Sequence, residues 1–261
     1  MAAPNPTKGF VSTWLNVRGL RWHTREPEAL AGAPSTVVLL HGLAVSHRYL
    51  MPTAAALLSR GWDVRVPDLP GFGLSDDPPA VLDVRGQADA VLGWLEAKEL
   101  DPAVLLGNSF GCQIAVDIAA RKPRRVTALV LSGPTMDVVG RTAPRQLMRW
   151  GRDWLREDPL QLPMMLRDIR DATPSRILTT LRHALADPIE RKLPEVDVPT
   201  LVLRGGREPI VPRRWAQHVC TLLPRGELHE IPGKPHNCVY VAPEALAEVA
   251  SDFLRRTLQP G

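Results

Sequence analysis

Lysine is scarce in this chain of 261 residues: five Lys stand against 27 Arg, and the arginines are scattered rather than gathered. With 28 acidic residues the formal charge is only +4, so no dense basic stripe points to a nucleic-acid partner. Cysteine is sparse too. Cys112, Cys220 and Cys238 are odd in number and far apart, which excludes a paired disulfide framework and the C-x-x-C spacing of a zinc or redox site. They read as free thiols in a reducing compartment. Long apolar runs are also missing. The most apolar stretches, Thr36 to Val45 and Val126 to Leu131, are too short to span a bilayer, and the opening MAAPNPTKGF lacks the basic head and apolar run of a leader. The expectation is a soluble, cytoplasmic protein with no membrane partner. What is present, 44% hydrophobic and 23% charged residues, suffices to bury one large core.

Two β-prone runs, Phe10 to Val17 and Leu20 to Thr24, flank Arg18-Gly19, the pattern of an antiparallel hairpin. Strand-length apolar runs then alternate with helical stretches. The strands are predicted at Thr36 to Leu40, Asp63 to Val66, Ala103 to Leu106 and Val126 to Leu131, and the helices near Arg48 to Ser59, Val81 to Glu99 and Phe110 to Ala120. Such alternation implies crossovers and a mostly parallel central sheet with helices on both faces, an α/β fold. The rhythm breaks after residue 132. Three helical stretches follow, near Pro144 to Arg156, Leu160 to Asp171 and Pro174 to Ala186, the last with Thr173 as expected N-cap and Pro174 at the first helical position. Strands return at Thr200 to Leu203 and Glu227 to Ile231, each followed by a helix, Val211 to Leu222 and Pro243 to Leu258. The expected organisation is a core of residues 1–132 and 199–261 interrupted by an inserted helical cap, 133–198.

Leu105-Leu106-Gly107-Asn108-Ser109-Phe110-Gly111 runs from a buried strand through G-x-S-x-G into a helix, the context a nucleophile elbow requires. The plain alternative is a loop serine capping that helix. A serine hydroxyl needs a general base oriented by a carboxylate. Glu208 follows the Leu201 to Leu203 strand and His236 follows the Leu228 to Ile231 strand, so three groups converge at the carboxyl edge of a parallel sheet. His41-Gly42-Leu43-Ala44 follows the Thr36 strand, placing the Leu43 amide beside that of Phe110 as oxyanion donors.

These pieces, with Asp68-Leu-Pro-Gly-Phe-Gly-Leu-Ser75 and Pro232-Gly-Lys-Pro-His236, resemble the α/β-hydrolase superfamily, of the capped serine-hydrolase type, over nearly the whole chain. The resemblance implies a catalytic triad of Ser109, Glu208 and His236, oxyanion amides at Leu43 and Phe110, and no metal or organic cofactor. Most relatives carry Asp at the acid position. Asp137, after the Val126 to Leu131 strand, is therefore the alternative acid. The nucleophilic Asp of the haloalkane dehalogenase and epoxide hydrolase branches is absent from the elbow. His41 is expected to brace the oxyanion loop, and Asp68 to anchor the Pro70 to Gly73 turn. Cys112 and Cys238 are expected to pack in the core.

In the cap, Leu147, Trp150 and Trp154 share one stripe opposite four arginines, and Met164 and Met165 lie nearby. Trp150, Trp154, Met164 and Met165 are candidate substrate contacts, with plain packing as the alternative. The expected activity is hydrolysis of a small to medium, partly apolar carboxylic ester or lactone through an acyl-enzyme. One alternative is carbon–carbon bond hydrolysis of ring-fission products, because Gly-Asn-Ser-Phe-Gly resembles that branch. Those relatives, however, carry Trp after the catalytic His, where this chain has Asn237, and an Asn in the region matching residues 45–51, where this chain has none. A further alternative is a ligand-binding receptor on the same fold. The partner expected is a small-molecule substrate, and the chain a monomer or homodimer.

Overall fold

Two consecutive positive-φ residues, Arg18 (φ 52°) and Gly19 (φ 84°), close the first hairpin in the computed structural model of the protein, which describes residues 7–33, 35–156 and 161–258. That backbone suits the twist of a two-residue hairpin turn. It joins β1 (Phe10–Val17) to β2 (Leu20–Pro27) in antiparallel register. Then come β3 (Thr36–Leu40), α1 (His47–Leu58), β4 (Asp63–Pro67), α2 (Val84–Ala97), β5 (Ala103–Asn108), α3 (Phe110–Arg121) and β6 (Val126–Ser132). After a helical stretch follow β7 (Thr200–Gly205), α8 (Arg213–Leu222), β8 (Gly226–Ile231), α9 (Cys238–Val241) and α10 (Pro243–Leu258). The eight strands form one sheet in the order β1-β2-β4-β3-β5-β6-β7-β8, parallel from β4 to β8. The α/β class expected from the alternation is the class observed.

The apolar strands read as unbroken runs because both faces are covered. Val38, Leu40, Leu105, Leu129 and Val202 face one core with Trp94, Ile114 and Val219 from α2, α3 and α8. Their neighbours Val37, Leu39, Leu106, Val130 and Leu203 face the other, with Leu50, Leu57, Leu246 and Phe253 from α1 and α10. Each such side chain contributes about 1.5–3 kcal/mol by leaving water.

Between β6 and β7 lie α4 (Ala143–Trp154), α5 (Leu162–Ala172), α6 (Pro174–Ala186) and the short α7 (Ile189–Lys192), with no strand among the described residues. Leu160, the expected start of the second helix, lies outside the described residues. Two local expectations need correction. Thr173 precedes α6, but at φ 59° and ψ 141° it makes no side-chain cap, and its hydroxyl lies 3.3 Å from that of Ser175. The helix expected from Val81 begins at Val84, because Asp83 takes the N-cap and accepts the Gly86 amide at 2.7 Å.

Candidate active site

β5 runs into α3 through Ser109, whose φ of 53° and ψ of −113° cost a non-glycine residue about 1–3 kcal/mol. The surroundings enforce that conformation. The Ser109 amide donates to the Ser132 carbonyl at 3.0 Å, and a Cβ on Gly107 would come within 2.6 Å of the Gly111 carbonyl carbon. A Cβ on Gly111 would strike the Leu40 carbonyl oxygen in turn. Ser109 is half-buried and makes no side-chain capping bond to α3, so the loop-serine alternative has no capping contact behind it.

The segment after β3 abuts this elbow: a Cβ on Gly42 would lie 3.3 Å from Ser109 Cβ. Leu43 is half-buried, and Phe110 opens α3, where amides lack intrahelical acceptors. His41 lies 2.8 Å from the Gly42 carbonyl through Nδ1 and accepts the Leu69 amide on Nε2 at 3.0 Å. That pair of contacts suits the neutral ring with Nδ1 protonated, and burial pushes its pKa down. His41 thus ties the β3 loop to the end of β4.

Glu208 and His236 follow β7 and β8. Glu208 is buried; its Oε1 contacts His236 Nδ1, and its Oε2 accepts the Gly205 amide at 3.1 Å. Buried Arg204 holds the acid loop, its Nε donating to the Val211 carbonyl at 3.2 Å and its Nη2 to that of Glu208 at 3.3 Å. Both groups crowd Gly133 (φ 64°), where a Cβ would lie 2.7 Å from His236 Cε1 and 3.3 Å from Glu208 Oε1. Ser109 and His236 therefore border the same strand end, Ser132-Gly133. Asp137 has other partners: it pairs with Arg149 and accepts the Gly140 amide.

Sequence reasoning missed the groups around Asp68. His23 Nδ1 lies 2.9 Å and His47 Nδ1 2.8 Å from this buried carboxylate, which also accepts the amides of His47 at 2.7 Å and Leu74 at 2.9 Å. The three side chains converge closely enough to hold a metal ion, with ligand atoms within 4.8 Å, yet both ring Nδ1 atoms already hydrogen-bond the carboxylate. Asp68 thus anchors its turn, as expected, and also holds β2 through His23 and the start of α1 through His47. Cys112 and Cys238 are buried, and burial raises both thiols, Cys238 to about 12.

A model described as the alpha/beta hydrolase family matches residues 37–249. The chain belongs to the alpha/beta hydrolase family. This hydrolase is 30% identical to a haloalkane dehalogenase from Mycolicibacterium paratuberculosis, over 78% of its own length and 69% of the relative's. It is 27% identical to a pimeloyl-[acyl-carrier protein] methyl ester esterase from Neisseria meningitidis, over 88% and 97%. Its fold matches the crystal structure of a membrane phospholipase A with a TM-score of 0.83 at 24% identity, covering 97% of this chain and 88% of that one. At that identity the likeness is one of fold.

Among its described residues the hydrolase has no helix long and apolar enough to cross a membrane. Its α4 carries Trp150, half-buried against the core, and Trp154, 57% exposed. On α5, Met164 packs against the core on the other face of the sheet, and Met165 is half-buried.

Proposed function

We propose that this hydrolase cleaves a small to medium, partly apolar carboxylic ester or lactone by acyl transfer to Ser109. The observation that carries the reading is the contact of Glu208 with His236 Nδ1 beside the strained Ser109 elbow. Ser109 Oγ attacks the substrate carbonyl while His236 Nε2 takes its proton. The amides of Leu43 and Phe110 receive the oxyanion. His236 then returns the proton to the departing alcohol oxygen, and water, activated by the same nitrogen, releases the acid and restores Ser109. Glu208 orients the ring and stabilises the imidazolium.

Residues 133–198 form the cap in this reading. The ester chemistry agrees with the name of the Neisseria relative. Dehalogenation is not proposed, because the elbow residue is Ser rather than the Asp of that branch. The test is intact mass after exposure to a fluorophosphonate, for wild type and Ser109→Ala, with p-nitrophenyl esters of increasing chain length assayed in parallel. Labelling and turnover that both depend on Ser109 support the reading. Ester hydrolysis retained by Ser109→Ala rejects it. A folded chain that neither labels nor turns over favours a binding protein.

The elbow Gly107-Asn-Ser-Phe-Gly111 favours carbon–carbon bond hydrolysis as the second reading, with Asn237 against it. A vinylogous diketone in the same panel separates the two.

A further inference from the structure

Asp168 is one of two buried residues on α5 and is 1% exposed. A carboxylate with no water needs partners to offset its desolvation, and a plain packing position on a helix has no need of one. Asp168 finds its partners across 122 residues of chain: it accepts the Ser46 amide at 3.0 Å, the Ser46 hydroxyl at 2.8 Å and a guanidinium N–H of Arg48. The same Arg48 nitrogen lies 3.1 Å from Asp171 Oδ2. The next amide along, that of His47, is held by Asp68 at 2.7 Å. Two successive amides at the start of α1 are thus each fixed by a buried carboxylate, one from the helical insertion and one from the end of β4.

Only Ala44 and Val45 separate this anchor from Leu43. Val45 is buried in the core, and Ala44 has φ 64°, an uncommon conformation that holds only where its flanks are fixed. The direction of the Leu43 N–H is therefore set between Gly42, wedged against the elbow, and Ser46, gripped by Asp168. An oxyanion donor must sit about 2.7–3.1 Å from the developing charge. A second tie has the same form: Asp153 of α4, also buried, accepts the His236 amide on Oδ1 at 3.2 Å.

We propose that Asp168 is a positioning residue that couples the seating of α5 to the oxyanion donor at Leu43, so that the insertion helps to assemble the site it covers. The proposal rests on the serine-hydrolase reading. It is tested by Asp168→Asn, which keeps the volume but removes the charge and one acceptor oxygen. Two readouts are needed. Amide hydrogen exchange of the 42–48 segment, read without substrate, rises in the variant. On p-nitrophenyl acetate, kcat and kcat/KM fall together by about 10–100-fold, with KM within about twofold, since the lost contact is made only in the transition state.

Unchanged exchange overturns the coupling. Unchanged kcat, or a rise in KM alone, overturns its catalytic consequence, because disturbed packing of α5 would change substrate binding instead. Should Asp168→Asn fail to fold, Ser46→Asn removes the hydroxyl bond to Asp168 while keeping a residue type that can cap α1, and gives the same two readouts in milder form. A wild type that neither labels nor turns over removes the serine-hydrolase reading, whereas exchange still judges the anchor independently.

Discussion

Asp137 Oδ2 lies 2.9 Å from Arg149 Nη2 in a part-buried ion pair, while Glu208 occupies Nδ1 of His236. The two carboxylates follow adjacent strands, yet each has a different partner. Glu208→Gln is therefore expected to lower kcat by about 10⁴, as loss of the orienting acid does in serine proteases, with little change in unfolding midpoint. Asp137→Asn is expected to do the opposite. It leaves the half-buried Arg149 guanidinium without its counter-ion, at a cost of about 1–3 kcal/mol in denaturant unfolding, and leaves kcat nearly unchanged. A large kcat loss in Asp137→Asn with a small one in Glu208→Gln would reverse the assignment.

Gly133→Ala tests the crowding behind the histidine. The substitution asks an L-residue to hold φ 64° and puts a methyl 2.7 Å from His236 Cε1, so the ring must move. The backbone cost is about 1–2 kcal/mol. A ring displaced by about 1 Å costs on the order of 10²-fold in kcat. Stability from urea unfolding and kcat from ester hydrolysis separate the two effects. A variant of near wild-type kcat would show that the ring has room to shift.

The sheet was legible because its strands are buried on both faces and alternate with helices, and the elbow because Gly107 and Gly111 have no substitute where backbone meets backbone. Glu208 and His236 were legible as residues just past strand ends. The anchors were not. Helical periodicity on α4 marks Leu147 and Trp154 as the inward stripe, yet both are exposed, and the buried residues are Gln146 and Asp153. A 3.6-residue period identifies faces, but cannot tell that a distant backbone amide will claim the polar one. For the same reason nothing in the sequence links Asp168 to Ser46, or His23 and His47 to Asp68, because these partners are brought together only by the fold.

Asp68 makes a prediction about pH. Burial alone would raise its pKa, but hydrogen bonds from His23 and His47 outweigh burial and hold it well below the usual carboxylate range. A carboxyl whose pKa is depressed by folding stabilises the native state above its unfolded pKa of about 4, and that contribution disappears as the pH falls toward the folded value. Wild type should therefore lose unfolding free energy steeply below about pH 5. Asp68→Asn should start lower at neutral pH and show a flatter acid limb. Urea midpoints measured from pH 7 down to the acid transition check this. Parallel curves for the two proteins would place the acid sensitivity elsewhere.

The two tryptophans of α4 should differ, although they share one helix. Trp150 is half-buried and packs against the core, as does Ile177 of α6. Trp154 is 57% exposed and has most of its surface in water. Trp150→Ala should shift the preference among p-nitrophenyl esters toward longer acyl chains, by about tenfold in relative kcat/KM, the order of effect of one or two methylenes in an apolar pocket. Trp154→Ala should leave the profile unchanged, and its loss of stability should stay within about 0.5 kcal/mol, as for surface positions. If Trp154→Ala moves the profile as much as Trp150→Ala does, α4 must turn its outer face to the substrate during turnover, and the seating of the insertion would change in each catalytic cycle.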